Sequence, residues 1–390
     1  MSNIRMNNPG SSKDQNCPPS EKRQRLNNGR SVLPREPMGP VIRIPFLGMP
    51  VNRQQVRIAG SYIIGPEVHR LRPAKSLLQY IARKQNTNQF FLLKIVQQST
   101  RPNRDPHAIY DEQRGRVMLR TEYSLLSLLQ DDPGVIKQHG IFSDDVYEDM
   151  IIDSRQCMYT GAVVKRHILV LECLERHPFC DKSISNCTLF EYLQARYVLF
   201  ESEALYIFHA IIQTMENVHE KNIVHRDLRA ENITLNRVSK TVKIINFWLG
   251  RFSSDKNLVL YDACGSPNFI SPEIVAGKPY KGKPADMWAL GIILYMMLYG
   301  RFPFFKPTKR EHFGMIAKGE YQIPEDKAIC SHTIEIIKGL LTVDPEARLT
   351  VTQVRVKLES ILAMKRVKTV DQCVPEEEST PKSAENSEDL

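Results

Sequence analysis

The chain has 390 residues, with 53 Lys and Arg against 44 Asp and Glu for a formal net charge of +9, and is 42% hydrophobic and 25% charged. That size and mixture suit a globular protein with a large core and exclude a miniprotein framed by disulfides, a collagen-like repeat, a coiled coil and a wholly disordered chain. The longest apolar stretch, Trp288 to Leu298, falls well short of the ~18 residues that a membrane-spanning helix needs, so no membrane partner is expected.

In chain order, residues 1–58 form a basic arm rich in Pro, Asn and Ser, with only Asp14, Glu21 and Glu36 as acidic residues. Such a segment is expected to be disordered. It contains no apolar signal region, which points to a reducing, nuclear or cytoplasmic setting. A folded body is expected over 59–368. Its first lobe, about 59–174, reads as strands at 62–64, 77–84, 90–96 and 167–172 around one helix near 114–129. Its second lobe, about 175–368, reads as helices. Leu205, Phe208, Ile211, Ile212, Met215 and Val218 recur at helical spacing and predict a helix over 201–220, while 287–299 is apolar nearly all round and predicts a buried one. The fold class is therefore α+β, a small β-rich lobe joined to a larger helical lobe. From 369 to 390 the charge reverses, giving an acidic, flexible tail. The eight cysteines include no C-x-x-C pair, so neither a zinc site nor a disulfide frame is expected, and no metal site is assigned from them.

Between the lobes stands His225-Arg226-Asp227-Leu228-Arg229-Ala230-Glu231-Asn232, followed by Asn246-Phe247-Trp248. These segments resemble the catalytic loop and the metal-binding segment of protein kinases. Phosphoryl transfer requires a carboxylate at the acceptor hydroxyl, metal ligands over the phosphates, and a lysine held by a glutamate. By that resemblance Asp227 occupies the position of the catalytic base and Asn232 that of the second metal ligand. Arg229 replaces the usual lysine, as in tyrosine kinases, keeping the charge with a different geometry. Lys94 resembles the strand lysine that contacts nucleotide phosphate, and Glu122 its helix partner.

Two departures fall on the groups that handle phosphate. Asn246 stands where the family has aspartate. Magnesium is a hard ion usually held by carboxylates, so metal-nucleotide affinity is expected to fall. Trp248 replaces a glycine beside it and either fills the pocket or locks the segment. The glycine-rich loop is reduced to Gly65, and Glu67 occupies a position where backbone should approach phosphate closely. Gly65, Lys94, Glu122 and Asn246 thus outline a degenerate nucleotide site, with Asp227, Arg229 and Asn232 a vestigial catalytic loop.

The remainder of the second lobe carries Gly265-Ser266-Pro267, Ser271-Pro272-Glu273, Asp286-x-Trp288-x-x-Gly291 and Asp344-Pro345-x-x-Arg348. These resemble the closing elements of serine/threonine kinases, with Arg348 expected to pair with Glu273. Asp262 lies where many kinases carry an activating phosphate, so its carboxylate could pair with Arg226 directly; a solvated loop aspartate is the plainer alternative.

In the tail, Asp371, Val374, Pro375 and Glu376 match the acidic-x-x-Val-Pro-acidic motif by which Tribbles pseudokinases dock on the propeller domain of the constitutive photomorphogenesis-type E3 ubiquitin ligase. Resemblance to the Tribbles-related pseudokinases implies a scaffold that links client proteins to that ligase and negatively regulates NF-kappa-B and p53-dependent transcription, in nucleus and cytoplasm, with no resident cofactor. The alternative is a weakly active serine/threonine kinase using ATP and magnesium. The basic clusters at 21–25 and 365–368 lack interleaved aromatics, so nucleic acid is not an expected partner.

Overall fold

The computed structural model describes residues 50–51, 57–68, 73–99, 104–151, 157–179, 185–255, 258–325 and 327–371. Over these the chain is a bilobal α+β structure. The first lobe is a seven-stranded sheet of β1 (Pro50–Val51), β2 (Ile58–Ala59), β3 (Tyr62–Glu67), β4 (Leu77–Lys84), β5 (Phe90–Ser99), β6 (Gln138–Ile151) and β7 (Cys157–Glu172), with helix α1 (Pro106–Leu128) between β5 and β6. Every pairing is antiparallel, in the order β1-β7-β5-β4-β3-β2, and β6 also pairs with β7.

The period of two along β5 decides where its side chains go. Leu93 and Ile95 enter one small core with Ile168 and Val170, whereas Leu92 and Val96 face α1 and the main core. Lys94 shares parity with Leu92 and Val96. The alternation therefore sends a lysine into the buried side of the sheet.

Three expectations are corrected here. Helix α1 starts at Pro106, eight residues before 114, because Asp105 accepts a hydrogen bond from the His107 amide and Pro106 suits the first helical position. Its first two turns are mostly exposed, and their apolar residues Ala108, Ile109 and Tyr110 are consecutive rather than three or four apart, so they carry no apolar period. Strand β6 was not expected at all. Its register sets Asp144 opposite Arg166, whose guanidinium donates to both carboxylate oxygens at 2.7 and 2.6 Å, so cross-strand charge supports a strand without apolar alternation. Finally, Pro50 and Val51 pair with Met158 and Cys157, and Ile58 with Ile63, so strand residues occur inside the segment assigned to a disordered arm. Residues 1–49 lie outside the described chain.

The second lobe comprises β8 (Asn186–Thr188), α2 (Leu189–Arg196), α3 (Glu201–Glu220), β9 (Ile223–Val224), β10 (Ile233–Asn236), β11 (Val242–Ile244), β12 (Arg251–Phe252), β13 (Val259–Leu260), α4 (Pro272–Val275), β14 (Tyr280–Lys281), α5 (Gly282–Tyr299), α6 (Lys309–Lys318), α7 (Ser331–Leu340) and α8 (Val351–Asp371). Helix α3 begins and ends where the periodicity places it. The apolar run at 287–299 is the larger part of α5, buried without interruption from Ala285 to Leu298 and closed by Gly300 in the left-handed conformation. Helix α8 runs to Asp371, so three residues assigned to the flexible tail are helical. The tail residues Val374, Pro375 and Glu376 lie outside the described residues. Among the described residues, no helix is long and apolar enough to cross a membrane.

Candidate active site

The loop after β9 is built around one buried carboxylate. Asp286, at the start of α5, accepts hydrogen bonds from the backbone amides of His225 and Arg226, each at 2.9 Å, and contacts the His219 ring at 3.0 Å. These bonds hold Arg226 at φ 67°, a left-handed conformation that an arginine rarely adopts. The His225 ring lies 2.9 Å from the Ile245 carbonyl and meets the buried Phe247 ring edge-on. The catalytic loop and the Asn246–Trp248 segment are thereby fastened together.

On the opposite side of the cleft, the Lys94 ammonium is 2.7 Å from each oxygen of Glu122 and 2.7 Å from the Asn246 side-chain oxygen. An ammonium has three N–H donors, and among the described residues three acceptor oxygens lie within hydrogen-bond distance of this one. The Trp248 ring centroid lies 4.4 Å from the same nitrogen, a cation–π distance. Lys94 and Glu122 are 1% and 0% exposed, so the lysine is enclosed by protein rather than presented to a ligand. Trp248 both fills its pocket and covers the lysine.

Because the Asn246 oxygen faces an ammonium, its amide nitrogen points the other way, donating to the Asn232 side-chain oxygen at 2.7 Å. The Asn232 amide donates in turn to the Asp227 carbonyl at 2.7 Å and its carboxylate at 3.1 Å. Ser266 donates to the other Asp227 oxygen at 2.8 Å and accepts from Arg229 at 2.6 Å, while Arg229 also forks onto Glu231. One unbroken chain of hydrogen bonds therefore links Glu122, Lys94, Asn246, Asn232, Asp227, Ser266, Arg229 and Glu231. The fold brings together Lys94, Glu122, Asp227, Asn232 and Asn246, the residues that the kinase resemblance implies. The resemblance did not disclose Ser266 as a partner of Asp227, because that contact depends on the path of the segment after Cys264.

A magnesium ion does not fit this arrangement. The two candidate ligand oxygens belong to neutral amides, and both already accept hydrogen bonds, one from Lys94 and one from Asn246. Lys94 already brings a positive charge to the Asn246 oxygen, and neither amide supplies the carboxylate charge that a hard dication requires. Among the described residues no group of three or more His, Cys, Asp or Glu side chains could hold a metal ion.

Gly65 serves the sheet. A Cβ built there would lie 2.8 Å from the Ile81 carbonyl on the neighbouring strand, and the β3–β4 register shifts between Ile64 and Glu67, where Pro66 offers no amide. An open cleft of about 620 Å³ nonetheless lies along Asp227, Asn232, Asn246, Trp248 and Arg114.

The activation-type segment is pinned without phosphate. Asp262 contacts the Arg226 guanidinium at 2.7 Å. Burial acts to raise the Asp262 pKa, but the hydrogen bond and charge of Arg226 outweigh it and hold the carboxyl below the usual aspartate range. Arg226 also donates to the Tyr280 hydroxyl at 2.9 Å, and burial pushes that phenol up to about 12. Further on, Arg348 forks onto Glu273 with both contacts at 2.9 Å, the pairing that the sequence motifs anticipate.

The protein kinase domain family matches residues 78–357, and with the bilobal fold and the Lys94–Glu122 pair this places the chain in the protein kinase family. Within it, the chain is similar to serine/threonine-protein kinase 40. It is 39% identical to the Homo sapiens protein over 321 residues, covering 82% of this chain and 73% of that protein. It is 40% identical to the Gallus gallus protein over 313 residues, covering 80% and 71% respectively.

Proposed function

We propose that this kinase-fold protein is a pseudokinase that acts as a scaffold and does not turn over ATP. The observation that carries the reading is the bridge made by Asn246, whose amide joins Lys94 to Asn232 where a phosphotransferase would need a metal between phosphate and carboxylate. The groups that should meet a nucleotide satisfy one another instead. The body then serves as a rigid frame for protein contacts.

The same proposal assigns the tail, through Asp371, Val374, Pro375 and Glu376, to the constitutive photomorphogenesis-type E3 ubiquitin ligase, with client proteins carried on the body. Negative regulation of NF-kappa-B and p53-dependent transcription, in nucleus and cytoplasm, would be its output. Support for these assignments is the tail motif and the similarity to serine/threonine-protein kinase 40. Ligase binding by the full chain, lost in V374A/P375A, tests the docking assignment.

A second reading, a weakly active serine/threonine kinase, is favoured by the intact Lys94–Glu122 pair and by Asp227 lining the open cleft. Thermal unfolding of the full chain with millimolar ATP, with and without magnesium, separates the two readings, because a ligand of the native state raises stability by mass action. The scaffold reading expects no magnesium-dependent shift. Such a shift, accompanied by phosphate transfer that Asp227→Asn abolishes, would replace it with the kinase reading.

A further inference from the structure

On the α1 side of the first-lobe sheet, four side chains that carry or can take positive charge converge with little acid to match them. Val96 and Gln98 of β5 lie opposite His167 and Lys165 of β7, and on the far side of β7 the same two residues lie opposite Ser143 and Asp145 of β6. Directly opposed residues share a face, and Val96 fixes it as the face that α1 covers, since a Cβ at Gly115 of α1 would lie 3.3 Å from Val96. Next to Gly115, Arg116 donates to the Gln98 side-chain oxygen at 3.1 Å, and Arg120 stands one turn further along the helix.

His167 registers the convergence. Burial is the largest cause that lowers its pKa, and the charges of Arg116, Arg120 and Lys165 lower it further, with Asp145 acting the other way. Neighbouring cations on these elements are paired, Arg104 with Glu112 at 2.5 Å and Arg166 with Asp144 at 2.6 Å. Among the described residues no carboxylate forms an ion pair with Arg116, Arg120 or Lys165. The buried Nε of Arg116 and Nε2 of His167 also have no hydrogen-bond partner there, although buried polar atoms nearly always have one. Like charges gathered in this way oppose folding. An anion would relieve them.

We propose that this cluster binds a phosphate group carried by a phosphorylated residue of a partner protein. Charge selects phosphate over a single carboxylate. With His167 neutral, the three cations and Asp145 leave +2, which matches a phosphomonoester of about −1.5 to −2 near pH 7. The planar guanidinium forks of Arg116 and Arg120 suit its oxygens. Residues flanking the phosphate find exposed apolar contact in Val117, 64% exposed between the two arginines, and in Tyr147, 42% exposed and two positions beyond Asp145 on β6. A bound dianion favours the imidazolium form, so binding raises the His167 pKa and tightens as pH falls. The cluster shares no residue with the nucleotide cleft or the tail motif, so its occupancy is separable from both ATP binding and ligase docking.

The test follows the His167 ring of the full chain by NMR, its resonance identified by loss in His167→Gln. The probe is an acetylated, amidated Leu-phosphoserine-Leu tripeptide, compared with inorganic phosphate, N-acetylaspartate and sodium chloride at matched ionic strength. The tripeptide is expected to shift the resonance saturably, to raise the His167 pKa by about one pH unit, and to bind several-fold more tightly than inorganic phosphate. Arg120→Gln/Lys165→Gln, which alters two exposed side chains, is expected to weaken that binding several-fold. An unmoved pKa, an equal response to N-acetylaspartate or chloride, or unchanged binding in the double variant overturns the proposal. Equal affinity for inorganic phosphate also overturns it and assigns the cluster to a free ion. Binding to phosphatidylglycerol vesicles that needs Arg120 and Lys165, with the tripeptide inert, overturns it in favour of a membrane surface.

Discussion

The side-chain amide of Asn246 donates to the side-chain oxygen of Asn232 across 2.7 Å, and its own oxygen is held by Lys94 at the same distance. An aspartate at 246 could keep the second contact but not the first, since two acceptors would then face each other. A single nitrogen thus turns a pair of prospective metal ligands into a closed polar network.

Asn246→Asp therefore has two effects. Without metal it leaves an opposed pair of buried acceptors and lowers stability by about 1–3 kcal/mol. It also supplies the missing carboxylate, so that magnesium restores part of the loss. Denaturant unfolding with and without magnesium and ATP measures both. Unchanged stability in metal-free buffer would mean that the amide bridge is dispensable.

Removal of Lys94 exposes the other end of the network. Lys94→Met strands the Glu122 carboxylate in a site that is 0% exposed, with an expected loss of about 3–5 kcal/mol. Adding Glu122→Gln removes the stranded charge and recovers much of that loss. A double-mutant cycle by equilibrium unfolding checks this, and additive losses would contradict it.

Trp248 packs its ring on the Lys94 ammonium at 4.4 Å and is itself 4% exposed. Trp248→Ala should cost about 3–5 kcal/mol, through the cavity it opens and the lost cation–π contact. The chain has two tryptophans, and the second, Trp288, stacks on Phe304 elsewhere in the same lobe. Emission from Trp248 should consequently respond to Lys94→Met with Trp288 as a fixed background, which steady-state fluorescence of the single and double variants would test.

The Arg226–Asp262 pair makes stability depend on acid. Asp262 has a folded pKa below the ordinary value of about 3.9, so its contribution is complete above that value and is lost as pH falls through the folded one. Since the Asp262 side chain is 55% exposed, solvent screening keeps the effect near 1 kcal/mol or less. Asp262→Asn should lower the melting temperature slightly at pH 6 and by less at pH 3. An equal decrement at both values would show that the carboxylate charge is not what holds the segment.

Resemblance to the kinase motifs implied that Lys94, Glu122, Asp227, Asn232 and Asn246 share one cleft, and periodicity alone delimited α3, because motif residues and a helix face are written locally in residue type. The β6 strand escaped that reading. Its support is a charged register against β7, and register is a relation between two segments. The start of α1 escaped it too, since its exposed first turns have no residues at apolar helical spacing. Gly65, the one glycine kept at the phosphate-loop position, also lies against the Ile81 carbonyl, a contact between strands that no local pattern carries.

What the sequence by itself determined is which chemical groups the site holds: a neutral amide at 246, an indole at 248, a carboxylate at 67. What only the tertiary structure decided is how those groups are used. Hydrogen bonds are short and directional, and whether an amide bridges Lys94 and Asn232 or stays open to a ligand depends on placing atoms from β5, α1 and two loops within 2.7 Å of one another. No one-dimensional pattern carries that distance, because it is set by the packing of both lobes at once.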